Sequence, residues 1–179
     1  TTLVRATFPD LPYVSLEEPD IRQIALTDPR GFLSNYPNGV ILDEIQNTPE
    51  LFSYLQRIVD ENRQIQFILT GSSNFLLMEK ISQTLAGRTA VLHLLPFSLQ
   101  ELEPLADSYE NLIFKGQYPR IYDRAIPPSD FYPSYIQTYV DRDVRMIKNI
   151  GDINAFIQFT QLCAGRIGQP LNNASLAND

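Results

Sequence analysis

Two adjacent carboxylates, Asp43 and Glu44, directly follow the apolar run Val40-Ile41-Leu42. A run of this kind, introduced by Pro37-Asn38-Gly39, reads as a buried parallel strand, and acids at its end lie on the carboxyl edge of the sheet, where open α/β sheets place their ligands. The first acid can hold a magnesium ion, directly or through water, because that ion keeps an oxygen-rich shell and rides on substrate phosphates. The second can orient and deprotonate an attacking water. Strands also end in two acids by chance, so the pair alone is weak evidence for this chemistry. The opening residues Thr1-Thr2-Leu3-Val4-Arg5 strengthen it. They have the look of the stretch that follows a glycine-rich, lysine-ending phosphate loop, with Thr1 in the position of the magnesium-ligating hydroxyl and an apolar helix after it. The glycines and lysine of that loop are expected upstream of Thr1, so the 179 residues read as a piece of a longer protein.

Several elements must position these groups. Phe67-Ile68-Leu69-Thr70, ending at Gly71-Ser72-Ser73, reads as a second buried strand. Between the strands lies a helix in which Thr48 is the expected cap and Pro49 falls in the first turn. Leu51, Tyr54, Leu55, Ile58 and Val59 share one face of it. Strand, helix and strand with short connections make a βαβ unit and hence a parallel sheet. Tyr13 to Leu16 reads as a further strand, Asp20 to Leu26 as a helix begun after Pro19, and Thr89 to Leu95 as a last strand closed by Pro96. From Pro104 onward the pattern changes to long helical stretches, 129–148 and 152–166, punctuated by Pro127-Pro128 and Gly151. The expected organisation is an α/β parallel-sheet core over 1–103, followed by the start of a helical domain over 104–179.

The apolar strand ending in Asp43-Glu44 has the form of a Walker B motif. Its surroundings, Gly39-Val-Ile-Leu-Asp43-Glu44-Ile-Gln46, Phe67-Ile-Leu-Thr70-Gly71-Ser72-Ser73, Leu85-Ala-Gly-Arg88 and Leu95-Pro-Phe-Ser98-Leu-Gln-Glu101, resemble successive landmarks of a family of prokaryotic AAA-type P-loop ATPases. Members of that family carry a C-terminal domain of unknown function, DUF4143. Gly116-Gln-Tyr-Pro119, Tyr139-Val-Asp-Arg142-Asp143-Val144 and Leu162-Cys-Ala-Gly-Arg166-Ile-Gly168-Gln169 are similar to landmarks of that domain. Arg120 stands where many members have an acid.

The resemblance implies a P-loop fold with ATP and Mg2+ as cofactors, and places Thr1 and Thr2 on the nucleotide. Thr1 and Asp43 would serve the metal, and Glu44 would be the base for hydrolysis. Thr70 or Ser72 would feel the γ-phosphate, and Arg88 would act as arginine finger or phosphate sensor, which implies a homo-oligomer. It further implies a C-terminal domain that ends just as a winged-helix-like segment begins, ATP hydrolysis by the longer protein, and no activity in this piece. Plainer roles stand beside these: Ser72 and Ser73 as helix caps, and Arg88 as a surface residue.

Composition narrows the classes. Apolar residues at 44% and charged residues at 20% fit a packed globular chain and exclude disorder or coiled coil as the main architecture. The net charge of −7 disfavours a protein that coats nucleic acid electrostatically. The imbalance lies in residues 1–103, with 13 acids and 7 bases; residues 104–179 have 8 and 7. A DNA or protein partner is therefore expected, if anywhere, at the helical part, whose Asp141, Arg142, Asp143, Arg145 and Lys148 also read as helical ion pairs. A regulatory or nucleic-acid-binding module built on an ATPase scaffold is the alternative function. One cysteine, Cys163, excludes an internal disulfide framework and a cysteine-based zinc site, and the lone His93 builds no histidine metal site. No apolar run approaches the roughly 20 residues of a membrane span, and cytoplasm is the expected location.

Overall fold

In a computed structural model, which describes residues 1–71, 83–103, 108–142, 152–170 and 172–178, the apolar run becomes a strand buried at every position. The chain divides into two compact units, Thr1–Leu92 and His93–Asp179.

The first unit opens with α1 (Thr2–Thr7), β1 (Tyr13–Ser15), α2 (Pro19–Thr27) and α3 (Pro29–Ser34). It continues with β2 (Gly39–Asp43), a single 3-10 turn at Ile45–Asn47, α4 (Leu51–Glu61) and β3 (Gln66–Leu69). The strands form one parallel sheet in the order β1-β2-β3, with Ser15 opposite Asp43 and Leu42 opposite Leu69. The central strand β2 is therefore covered on both edges by neighbours and on both faces by side chains, which is why it needs no polar residue before Asp43. Val40, Ile41 and Leu42 are each at most 1% exposed. Burying each such side chain contributes about 1.5–3 kcal/mol. The same core takes Leu16, Ala25, Phe32 and Leu33 from the elements before β2, and Leu51, Phe52 and Leu55 from the apolar face of α4.

Three expectations change here. Thr48 does not cap α4: it is fully buried, its hydroxyl lies 3.5 Å from the Ile45 carbonyl, and Glu50 occupies the cap position. The chain enters α4 instead through two successive turns, Leu51 N–H to Thr48 C=O at 3.1 Å and Phe52 N–H to Pro49 C=O at 3.2 Å. Residues 89–95 form no strand; Leu92, Leu94 and Leu95 are 90%, 77% and 76% exposed. An apolar run becomes a strand only where a ladder receives its backbone groups, and among the described residues β3 pairs with β2 alone. His93 is accordingly exposed and outside any strand. The short α3 was not anticipated, although Asp28-Pro29 announces it: the Asp28 carboxylate accepts the Gly31 N–H at 2.9 Å, and Pro29 fills the first turn.

The regular secondary structure described in the second unit is all helical. It comprises α5 (Leu99–Leu102), α6 (Tyr109–Lys115), α7 (Pro119–Asp123), α8 (Pro128–Arg142), α9 (Ile153–Ala164) and α10 (Asn173–Asn178). Ser98 and Glu101 form a capping box on α5, Ser108 caps α6, and Asp152 caps α9. Tyr118, Phe131, Tyr132 and Tyr135 pack as an aromatic cluster, and the Tyr132 and Tyr122 hydroxyls donate to the carbonyls of Lys115 (2.8 Å) and Gly116 (2.6 Å). No strand that could form a wing occurs among the described residues. The helical stretch expected at 129–148 is described as far as Arg142; Asp143, Arg145 and Lys148 lie outside the described residues.

Gly39 is the hinge of the sheet's entry. Its φ is +107°, and a Cβ there would run into the backbone carbonyl oxygen of Gln66 on the neighbouring strand. Gly39→Ala combines an unfavourable backbone conformation with a clash that no side-chain movement relieves. It is expected to lower stability by about 2–4 kcal/mol, measured by urea unfolding; a loss under ~1 kcal/mol would show that the β2–β3 pairing yields there.

Candidate functional site

Asp43 closes β2 and is 6% exposed, so its carboxylate leaves water almost entirely. A buried charge of this kind is costly unless donors surround it. Three hydroxyls do so, each from a different part of the chain. The Thr1 Oγ1 donates to both carboxylate oxygens, at 2.8 and 2.9 Å. The Tyr13 phenol, on β1, donates to Oδ2 at 2.7 Å. The Thr70 Oγ1, just past β3, donates to Oδ1. Burial, the largest single influence, pushes the Asp43 carboxyl up, but the hydrogen bonds from Thr70, Tyr13 and Thr1 outweigh it and leave the group below its ordinary 3.8. Burial first, then the hydrogen bond to Asp43 and its charge, push the Tyr13 phenol up, so it remains a donor.

Backbone bonds bring these groups together. Leu16 N–H bonds the Asp43 carbonyl at 2.9 Å, Thr70 N–H bonds that of Leu42 at 3.0 Å, and Ile45 N–H bonds that of Thr70 at 3.1 Å. The last of these requires the chain to turn sharply out of β2, and Glu44 makes that turn in the left-handed region with φ 57° and ψ 43°. A non-glycine residue held so is strained by about 1–3 kcal/mol. The Glu44 carboxylate is half-buried and accepts from the Gln46 amide.

Of the residues singled out in the sequence, the structure brings Thr1, Asp43 and Thr70 into direct contact, with Glu44 next in chain. Thr2 is the exposed first residue of α1, and no hydrogen bond joins it to Asp43 among the described residues. Ser72 lies outside the described residues. Arg88 is elsewhere: its guanidinium grips Asp60 of α4, with Nε–Oδ1 2.6 Å and Nη2–Oδ2 3.0 Å. Sequence reasoning missed Tyr13, which it took only as a strand residue, and Arg5, whose guanidinium lies 4.5 Å over the Tyr13 ring. A phenol two residues before the register partner of Asp43 was the available signal, legible only once β1 and β2 were paired.

The oxygen set fits a small hard cation. One carboxylate and one hydroxyl, with the remaining positions left to water and phosphate, is how magnesium is commonly held. Among the described residues there is no cluster of three or more His, Cys, Asp or Glu that would suit a metal caged by protein alone.

An all-parallel sheet with helices between its strands, and with acids and hydroxyls gathered on the carboxyl edge of its central strand, defines the first unit as an α/β domain consistent with the P-loop class. Residues 1–103 match the family model of the AAA domain, and the chain belongs to that family. Residues 106–179 match a different model from the one expected, a domain of unknown function designated DUF8612. This overturns the DUF4143 assignment. The landmarks behind that assignment are turn chemistry in part: Gly116 has φ +69° at a helix end, and Pro119 sits in the first turn of α7. Such residues recur wherever short helices follow one another, and do not separate one helical domain from another.

Curated relatives include an uncharacterised protein of Mycobacterium bovis and one of Mycobacterium tuberculosis. Each is 26% identical over 151 residues, which cover 82% of this chain and 34% of the relative. The chain thus spans about a third of the length of the curated relatives it matches. No solved structure matches it significantly. No helix among the described residues is long and apolar enough to cross a membrane.

The hydroxyl cradle has a consequence for stability. Because the folded carboxyl lies below the ordinary value of 3.8, its contribution is fully present above that pH and is lost as pH falls through the lower folded value. Asp43→Asn is expected to flatten the acid limb of a plot of melting temperature against pH. An acid limb as steep as that of the wild type would show that the three hydroxyls do not favour the ionised form.

Proposed function

We propose that residues 1–103 form the magnesium-holding and water-activating part of an AAA-type protein that hydrolyses ATP, and that residues 104–179 begin a helical domain coupling nucleotide state to a partner. The convergence of the Thr1 and Thr70 hydroxyls on Asp43, with Glu44 directly after it, carries this reading. AAA family membership supports nucleotide binding; the choice of ATP follows the family resemblance, since no base-reading residue identifies the nucleotide.

Mg-ATP supplies the scissile phosphoanhydride and the cation that offsets its charge. Thr1 would offer its hydroxyl to the ion, and Asp43 would hold the ion or its water shell through a carboxylate that its donors keep ionised. Glu44 takes a proton from the attacking water at its carboxylate. Thr70 places a hydroxyl at the end of the strand beside β2, suited to sensing the γ-phosphate, a role for which Ser72 is the other candidate. Arg88 is engaged by Asp60, so a role as arginine finger on a neighbouring subunit in a homo-oligomer, or as phosphate sensor, requires that pair to open. The near balance of charge in residues 104–179 favours a protein partner over DNA for the helical part.

Glu44→Gln in the intact protein tests the base assignment. ATP turnover is expected to fall by about 100-fold or more, while ATP affinity measured by calorimetry changes by less than about threefold. Full turnover in Glu44→Gln would remove Glu44 from the chemistry, and absence of any ATP binding by the wild type would remove the function itself.

A further inference from the structure

The three donors on Asp43 are not equivalent. Thr1 and Thr70 are the hydroxyls that the proposed function turns toward the ion and the phosphate, so their bonds to Asp43 are exchanged when the site fills. Tyr13 has no such second task. It sits on β1 opposite Ile41, two residues before the Ser15–Asp43 pair. Side chains at that spacing lie on the same face of a sheet, and the diagonal distance suits a long aromatic side chain. The phenol spans it and donates to Oδ2 at 2.7 Å. Three further contacts hold Tyr13 in place. Ladder bonds on either side of it, Ile41 N–H to Pro12 C=O at 2.8 Å and Leu16 N–H to Asp43 C=O at 2.9 Å, anchor its backbone. The Arg5 guanidinium of α1, 4.5 Å from the ring centroid, covers its side chain.

We infer that Tyr13 is a positioning residue of the cation site: it holds Asp43 Oδ2 so that Oδ1 is presented to the metal, and Arg5 steadies it from α1. The inference rests on the reading of Asp43 as the magnesium-holding acid. Residues behind a metal ligand orient it and commonly change metal affinity by about 10–100-fold. Arg5 also links the cation site to α1, the helix that begins beside Thr1. Thr1, the hydroxyl ligand, stands at the cap position of α1, and Arg5, which covers the Tyr13 clamp, lies within that helix.

The test is uptake of Mn2+ by the intact protein in the presence of ATP, followed by electron paramagnetic resonance, together with the Mg2+ dependence of ATP turnover. Tyr13→Phe keeps the ring and removes only the hydroxyl. It is expected to raise the half-saturating Mn2+ and Mg2+ concentrations by about 10-fold, while turnover at saturating Mg2+ stays within about twofold of wild type. Arg5→Met is expected to produce a smaller rise, about threefold, and to add little in the Tyr13→Phe background. Asp43→Asn is expected to abolish Mn2+ uptake. Unchanged metal dependence in Tyr13→Phe, against a wild type that takes up Mn2+, overturns the inference and leaves the proposed function standing. Equal loss of turnover at saturating Mg2+ and of melting temperature in Tyr13→Phe also overturns it, since that is the behaviour of a packing residue. A wild type that takes up no Mn2+ with ATP overturns both.

Discussion

A carboxylate at the end of a strand with no exposed residue sets the terms for the first unit. Asp43, 6% exposed, cannot remain ionised without donors, and the other side chains of its own strand have none to offer. The donors must come from α1, β1 and the end of β3, so those three elements are held to a common edge by one charge. The same edge is where a parallel sheet points its strand ends. The folding requirement, to satisfy a buried acid, and the requirement of the proposed function, to gather oxygens around a cation, call on the same atoms. Hydroxyls suit both because each donates to a carboxylate when the site is empty of cation and can present a lone pair to a cation when one arrives.

Legibility in the sequence follows how local each determinant is. The strands β1, β2 and β3 and the helix between the last two were readable because their apolar runs and turn residues are contiguous, and the pairing of Thr1 with Asp43 was readable because a known spacing of motifs carries it. Tyr13 was not, since its contact with Asp43 exists only after two strands fall into register. The cap of α4 was misplaced for a related reason: Thr48 has the chemistry of a cap, but the core takes its side chain and leaves it fully buried. At 89–95 composition suggested a strand, yet a strand is a relation between segments, and no described neighbour supplies the ladder. In the second unit the helix start at Asp152 was readable, the short helices capped by Ser98 and Ser108 were not, and the identity of the domain depends on packing that short motifs do not encode.

The helical unit solves a different problem. Its short helices leave many helix ends, and two tyrosine hydroxyls close one of them: Tyr122 and Tyr132 donate to the carbonyls at Gly116 and Lys115, where α6 ends. Phe131, Tyr132 and Tyr135 then share rings with Tyr118, so the segment that carries the donors is anchored apolarly while its hydroxyls reach backbone. The burden that β2 bears in the first unit, a continuous buried spine, is carried here by an aromatic cluster; Leu102 and Ile121 are the buried aliphatic residues among the described residues of this unit.

The left-handed turn at Glu44 joins geometry to chemistry. Ordinary extended backbone there would carry the chain straight on from β2, and the Ile45 N–H could not return to the Thr70 carbonyl. With the turn in place, Asp43, Glu44 and the end of β3 form a closed loop of short contacts: Asp43 with Thr70 through side chains, Ile45 with Thr70 through backbone. A displacement of Thr70 therefore cannot leave Asp43 or the turn at Glu44 untouched, because Asp43 and Ile45 on either side of Glu44 are tied to it. The strain at Glu44 is sustained by the buried Ile45 behind it and by the β2–β3 ladder in front. In this arrangement the strained backbone sits directly beside the buried carboxylate, at the carboxyl edge of the sheet.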